Sequence, residues 1–168
     1  MFSQDLLCNS DPKNLLSEPN YAGNIIVVLA NLPDFLRTPI LKKRMVEFFA
    51  MSDPEKKQLI INALEAGPTI PFPNFSKLFK TWLEILTTLP EDQRIGLFEA
   101  YINEIAVSPQ KLIAFNLDGI LEIFLTLDSE KREIISQSVK KIINNFDGDA
   151  KRKLLLIIPD NAQAQLGL

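Results

Sequence analysis

Apolar positions in this chain recur three and four residues apart in long blocks, and short polar breaks rich in Pro, Gly, Asp and Ser separate the blocks. That spacing lays side chains along one face of an α-helix. Leu41, Met45, Phe48 and Phe49 fit one such face, and Ile60, Ile61 and Leu64 the next. Phe75, Leu78, Phe79, Trp82, Leu86 and Leu89 make the longest stripe, followed by Ile95, Phe98, Ile102 and Ile105. Leu117, Ile120, Leu121 and Phe124 form another, then Ile135, Val139, Ile142 and Phe146. Residues 151–158 carry a last short helix, and Pro159 ends it. Residues 21–31 read as a short buried helix. Their β-branched run Ile25-Ile26-Val27-Val28 also suits a strand, but no partner strand is evident elsewhere.

The breaks set the boundaries. Pro33-Asp34 opens the first long helix, and Pro39 means that it either starts near Thr38 or kinks there. Ser52 or Asp53 caps the next helix, with Pro54 near its first position, and Gly67-Pro68 stops it. Residues 69–74 hold Pro71 and Pro73 and read as an extended connector, so the third long helix starts at about Phe75 and leaves Phe72 outside. Ser108-Pro109 opens a helix that breaks near Asn116. Ser129 with Glu130 and Glu133 suits a helix start, and Lys140 with Lys141 a helix end. Residues 1–20 are polar and broken by Pro12 and Pro19; they read as a loosely ordered arm before a single domain at 21–168. The sum is an all-α fold of seven to nine helices.

Three junctions look alike: Asp53-Pro54-Glu55-Lys56-Lys57, Pro90-Glu91-Asp92-Gln93-Arg94 and Asp128-Ser129-Glu130-Lys131-Arg132. Taken as equivalent at Asp53, Pro90 and Asp128, they recur at a near-constant interval of roughly 37 residues, a period that predicts stacked helical hairpins, as a short α-solenoid or a compact bundle. Over residues 34–158 the pattern resembles the HEAT and armadillo group of helical repeats, which join paired helices by turns rich in Asp and Pro with a basic residue early in the second helix. The chain departs from that group in lacking its usual Val-Arg pair and in carrying a proline within the first helix only once, as Pro39. The resemblance implies a surface that binds another macromolecule.

Composition narrows the chemistry. The formal net charge of −3 gives non-specific nucleic-acid binding no help. There is no histidine, the commonest general base and metal ligand, and the single cysteine, Cys8, can form neither an internal disulfide nor a thiolate zinc site. No signal peptide or membrane-length apolar run is visible, which points to a soluble, cytoplasmic protein. Glu91-Asp92 and Asp147 with Asp149 are the densest acidic sites, but caps and the helix macrodipole account for them. Asp147-Gly148-Asp149 lacks the remaining ligands of a calcium loop, and no glycine-rich phosphate loop occurs. The reading is therefore of no enzyme, no cofactor and no metal.

What remains is surface. Residues 34–57 carry six basic and four acidic side chains, whereas 58–105 carry three and six, so charge is uneven along the array. Lys42-Lys43-Arg44 is the densest basic cluster within 34–57; as a solvated helix face it needs no partner, and as a site it suits phosphates or an acidic partner. Phe75, Phe79 and Trp82 share a core-like face. Phe72, between two prolines, reads either as a staple onto a neighbouring unit or as an exposed aromatic anchor. The expected function is a non-catalytic protein-binding scaffold, with Phe72, Phe75, Lys42, Lys43 and Arg44 as candidate partner-binding residues. The alternative is a helical carrier of a hydrophobic small molecule or lipid; nucleic-acid binding through the basic clusters ranks third.

Overall fold

The computed structural model describes residues 21–168; the expected N-terminal arm and Cys8 lie outside the described residues. The described chain is all-α: α1 (Tyr21–Asn31), α2 (Asp34–Ala50), α3 (Asp53–Ala66), α4 (Phe72–Thr88), α5 (Glu91–Val107), α6 (Gln110–Ile113), α7 (Leu117–Leu125), α8 (Ser129–Asn145), α9 (Gly148–Ile157) and α10 (Asp160–Leu166). A 3-10 turn, Gly67–Thr69, follows α3.

Local chemistry explains most boundaries. The Glu55 carboxylate accepts from the backbone N–H and hydroxyl of Ser52 at 2.8 and 2.7 Å, closing the start of α3. Asp128 accepts from the Lys131 N–H at 2.9 Å at the start of α8. Asp147 accepts from the N–H groups of Asp149 and Ala150 at the start of α9. Asn116 does the same for Gly119 in α7, which accounts for the break between α6 and α7. Pro39 lies inside α2, which already begins at Asp34.

One boundary corrects the sequence reading. Residues 69–74 are not an extended connector: α4 begins at Phe72, with Pro71 as its N-cap residue and Pro73 in its first turn. A proline there loses nothing, because the first N–H groups of a helix have no intrahelical partner. Phe72 is therefore a helical residue.

The backbone carries a longer period than the junctions do. Helices end at Asn31, Thr88 and Asn145, and the next ones begin at Asp34, Glu91 and Gly148, so one constant step along the numbering (31 to 88 to 145) carries these boundaries onto one another. The same step carries the start of α4 onto that of α8, and the start of α3 onto that of α6. In chain order the unit has three helical positions: α1-α2-α3, then α4-α5-(α6, α7), then α8-α9-α10, where α10 begins ahead of the step because α9 is shorter than α5. The look-alike junctions at Asp53, Pro90 and Asp128 open the third, second and first helix of successive units, so they are not equivalent in this register. Packing follows the longer step. First helix meets third within each unit (α1 on α3, α4 on α7, α8 on α10), and second helix meets the next unit's first (α2 on α4, α5 on α8). Third meets the next second where α3 packs on α5.

One apolar core runs through the stack from Leu29 to Ile142. Leu29, Leu86 and Ile143 occupy equivalent places in the three units and are all buried. Polar groups pin the units together. Arg37, 2% exposed, donates to the Leu29 carbonyl at 3.1 Å and to that of Leu32, closing the end of α1. It also donates to Asp34 at 2.6 Å, and to Thr81 Oγ1 and the Lys77 carbonyl of the next unit. Arg94, its counterpart one step on, donates to the Leu89 carbonyl at 3.0 Å and to Ser138 Oγ at 2.8 Å. Each arginine thus ties the end of the preceding helix to a hydroxyl in the following unit.

Candidate functional site

The aromatic stripe proves to be structural packing. Phe75 stacks on Phe79 at 5.6 Å between ring centroids, and Phe79 stacks on Trp82 at the same distance. Trp82 meets Phe98 and Tyr101 edge-on at 5.5 Å, and Phe75 meets Phe115 at 5.6 Å. Phe72 joins this chain through Phe75 and lies across α7. A Cβ placed on Gly119 would come within 2.3 Å of its ring, so only glycine allows the ring so close. Phe72 and Phe75 are both half-buried against the core. Phe72 thus packs between two helices of one unit, whereas the staple reading has it reaching a neighbouring unit.

Lys42, Lys43 and Arg44 lie exposed on α2. Arg44 pairs with Glu47 at 2.9 Å and Lys43 reaches the same carboxylate at 4.0 Å; Lys42 makes no ion pair among the described residues. No hydrogen bond or ring contact among the described residues joins this cluster to Phe72 or Phe75.

A different surface emerges when successive units are superposed along the longer step. In the second unit, whose α4 and α5 the first unit packs against, Ile85 and Leu97 are 4% and 3% exposed. Their counterparts in the first unit, Val28 and Ile40, are 58% and 39% exposed. Ile25 corresponds to half-buried Trp82, and Leu36 to half-buried Gln93; both are exposed. At these positions the first unit is exposed where its successor is buried or half-buried. On α2, Leu36, Ile40 and Lys43 run along one line, and Phe35, Pro39, Lys42 and Val46 along a second beside it. Phe35 is 75% exposed. This surface is the candidate site. In the sequence its basic residues show as charge, and its apolar residues show only through the pairing of Leu32-Pro33-Asp34 and Arg37 with Leu89-Pro90-Glu91 and Arg94, which fixes the step.

The other features have structural employment. Asp147 caps α9, and Glu91 pairs with Lys141. Among the described residues no group of Cys, Asp and Glu side chains converges to hold a metal ion. Hydrogen bonds from Ser52 hold Glu55 below its usual pKa, an ion-paired hydrogen bond from Lys141 does so for Glu91, and the Lys131 N–H does so for Asp128. In turn Asp128 raises the pKa of Lys131. Burial pushes the Tyr101 hydroxyl up to about 12. Two hollows lie at the surface as open grooves. One, of about 650 Å³, runs along α9 and α10 beside Leu155, Leu156, Ile158, Lys151 and Arg152. The other, of about 330 Å³, lies between Phe48, Phe49 and Lys56 on one side and Asp92, Gln93 and Gly96 on the other. No helix among the described residues is long and apolar enough to cross a membrane.

Comparison of the chain with protein-family models, with curated proteins and with solved structures finds no match.

Proposed function

We propose that this protein is a non-catalytic docking module of the cytoplasm, a short helical array of the HEAT and armadillo kind that holds a protein partner. One observation carries the reading: Val28 and Ile40 are open, whereas the matching Ile85 and Leu97 of the second unit are buried. Apolar surface left uncovered at the end of a repeat stack marks either an interaction site or an aggregation liability, which is why terminal units usually carry a polar outer face. The test is to compare the full chain with Ile40→Asp by affinity capture from the host's lysate, scored for stoichiometric protein and for extracted small molecules. Loss of a stoichiometric protein partner in Ile40→Asp, at an unchanged melting temperature, supports docking. Equal capture by both proteins rejects this surface.

The carrier reading keeps one supporting observation, the groove along α9 and α10, whose volume lies in the range of small-molecule sites. An apolar ligand that co-purifies without protein, and is lost in Leu156→Asp, would favour it over docking.

A further inference from the structure

We infer that the occupant of the open first-unit face is an amphipathic α-helix of a partner protein, with an acidic flank, seated on α2 as α3 seats on α5. The inference rests on the docking reading and adds the partner's shape and charge.

The shape follows from the repeat. The element of the first unit that lies on α5 is a helix, α3, and its Lys56, with Phe48 and Phe49 of α2, faces Gln93, Gly96 and Ala100 of α5 across an open groove. The matching positions on α2 are Leu36, Pro39 and Lys43, and α2 and α5 are equally long. A partner with apolar residues at i, i+3, i+4 and i+7 would meet Leu36 and Ile40 with the spacing that packed helices use.

The charge follows from what differs between the two faces. Where α5 has Glu99, Ala100 and Tyr101, α2 has Lys42, Lys43 and Arg44. Of the carboxylates on α2, Asp34 pairs with Arg37, and Glu47 alone lies beside the cluster. The rim beside Ile40 and Val46 is therefore net positive, and an acidic flank on the arriving helix complements it. A membrane surface fits basic and apolar residues too, but it would not account for the match to buried positions of the second unit.

The experiment measures binding of the full chain to three synthetic probes about 18 residues long, a length that sustains helix. One has a Leu stripe flanked by Glu, one the same stripe flanked by Lys, and one is the Glu probe broken by two central prolines. The expected result is tightest binding of the Glu helix, weakened about tenfold by Ile40→Asp, by the K42E/K43E/R44E triple variant, and by the prolines. Both variants alter exposed side chains, and unchanged melting temperatures confirm their folds. Equal binding of Glu and Lys helices overturns the acidic partner and leaves docking standing. Binding of no probe overturns the inference. Three further results would assign the face elsewhere and overturn it as well: a concentration-dependent dimer that Ile40→Asp dissolves, a crosslink from position 40 to residues 1–20 of the same chain, or binding to phosphatidylserine vesicles tighter than to any probe.

Discussion

Arg37 of the first unit donates to Thr81 Oγ1 of the second at 3.3 Å, and Arg94 of the second donates to Ser138 Oγ of the third at 2.8 Å. Each hydroxyl donates in turn to the carbonyl four residues before it, Lys77 and Ile134. The two contacts are one device used twice, in successive units.

Arg37 is the more buried of the two arginines and makes more bonds. Arg37→Ala leaves the carbonyls of Leu29 and Leu32 without this donor, and the expected loss is about 3 kcal/mol. At this chain length that is a fall of roughly 6–12 °C in Tm. Arg37→Lys recovers less than half, because an ammonium cannot span the carbonyls and the hydroxyl as the planar fork does. Arg94→Ala costs about 1–2 kcal/mol. A double-mutant cycle of Arg94→Ala with Ser138→Ala, read by urea denaturation, should show the two coupled; additive losses would dissolve the pairing.

Glycine positions give an opposed pair. Gly119→Ala places a methyl group 2.3 Å from the Phe72 ring, which must move, at an expected cost of about 1–3 kcal/mol. Gly96→Ala, in the middle of α5, meets nothing within 4 Å and should stabilise by about 0.5–1 kcal/mol. Thermal melts of the two variants should move in opposite directions.

Phe72→Ala tests the packing of that ring. Removing a half-buried ring that packs on Phe75 and Gly119 is expected to cost about 2 kcal/mol. Binding of the acidic helix probe should be unchanged. A variant that melts like the parent but loses the probe would instead mark Phe72 as a contact residue.

Stability should stay nearly flat between pH 5 and 8, since the chain has no histidine. On the acid side, Glu55, Glu91 and Asp128 have folded pKa values below their unfolded ones. Their contribution is present above the ordinary carboxylate range and is lost as pH falls through the lowered values. On the alkaline side the Tyr101 pKa is raised from 10 to about 12, so its contribution is full below pH 10 and lost as pH climbs towards 12. Tyr101→Phe should flatten the alkaline limb of a Tm-against-pH curve; an unchanged limb would show that the hydroxyl titrates freely.

Helices are legible in the sequence because their apolar stripes are long: Leu78, Leu86 and Leu89 are buried as spacing alone predicts. The start of α4 is not, because two prolines in a row of loop-like residues look extended until it is seen that both sit where a helix needs no N–H. The repeat is hidden for a related reason. Turn chemistry recurs at every helix start, so Asp53, Pro90 and Asp128 look alike although they open different positions of the unit. The true step shows in residues whose side chains do something twice, Arg37 and Arg94. Of the candidate site, Lys42, Lys43 and Arg44 are visible as charge. Val28 and Ile40 are not, because an exposed aliphatic residue reads like a buried one until its counterparts in the next unit are known.

The last unit tapers. α9 has 10 residues and α10 has 7, against 17 in each of α2, α4, α5 and α8. Leu154 and Ala162 are the buried anchors of those two short helices. A stack whose units lean chiefly on their neighbours opens from its weakest end. Amide protons of α9 and α10 should therefore exchange with solvent first, with protection rising back through α8 into α4 and α5. A protease that nicks near Asp147 would peel the array from that end, leaving the open face around Ile40 among the last surfaces to be lost.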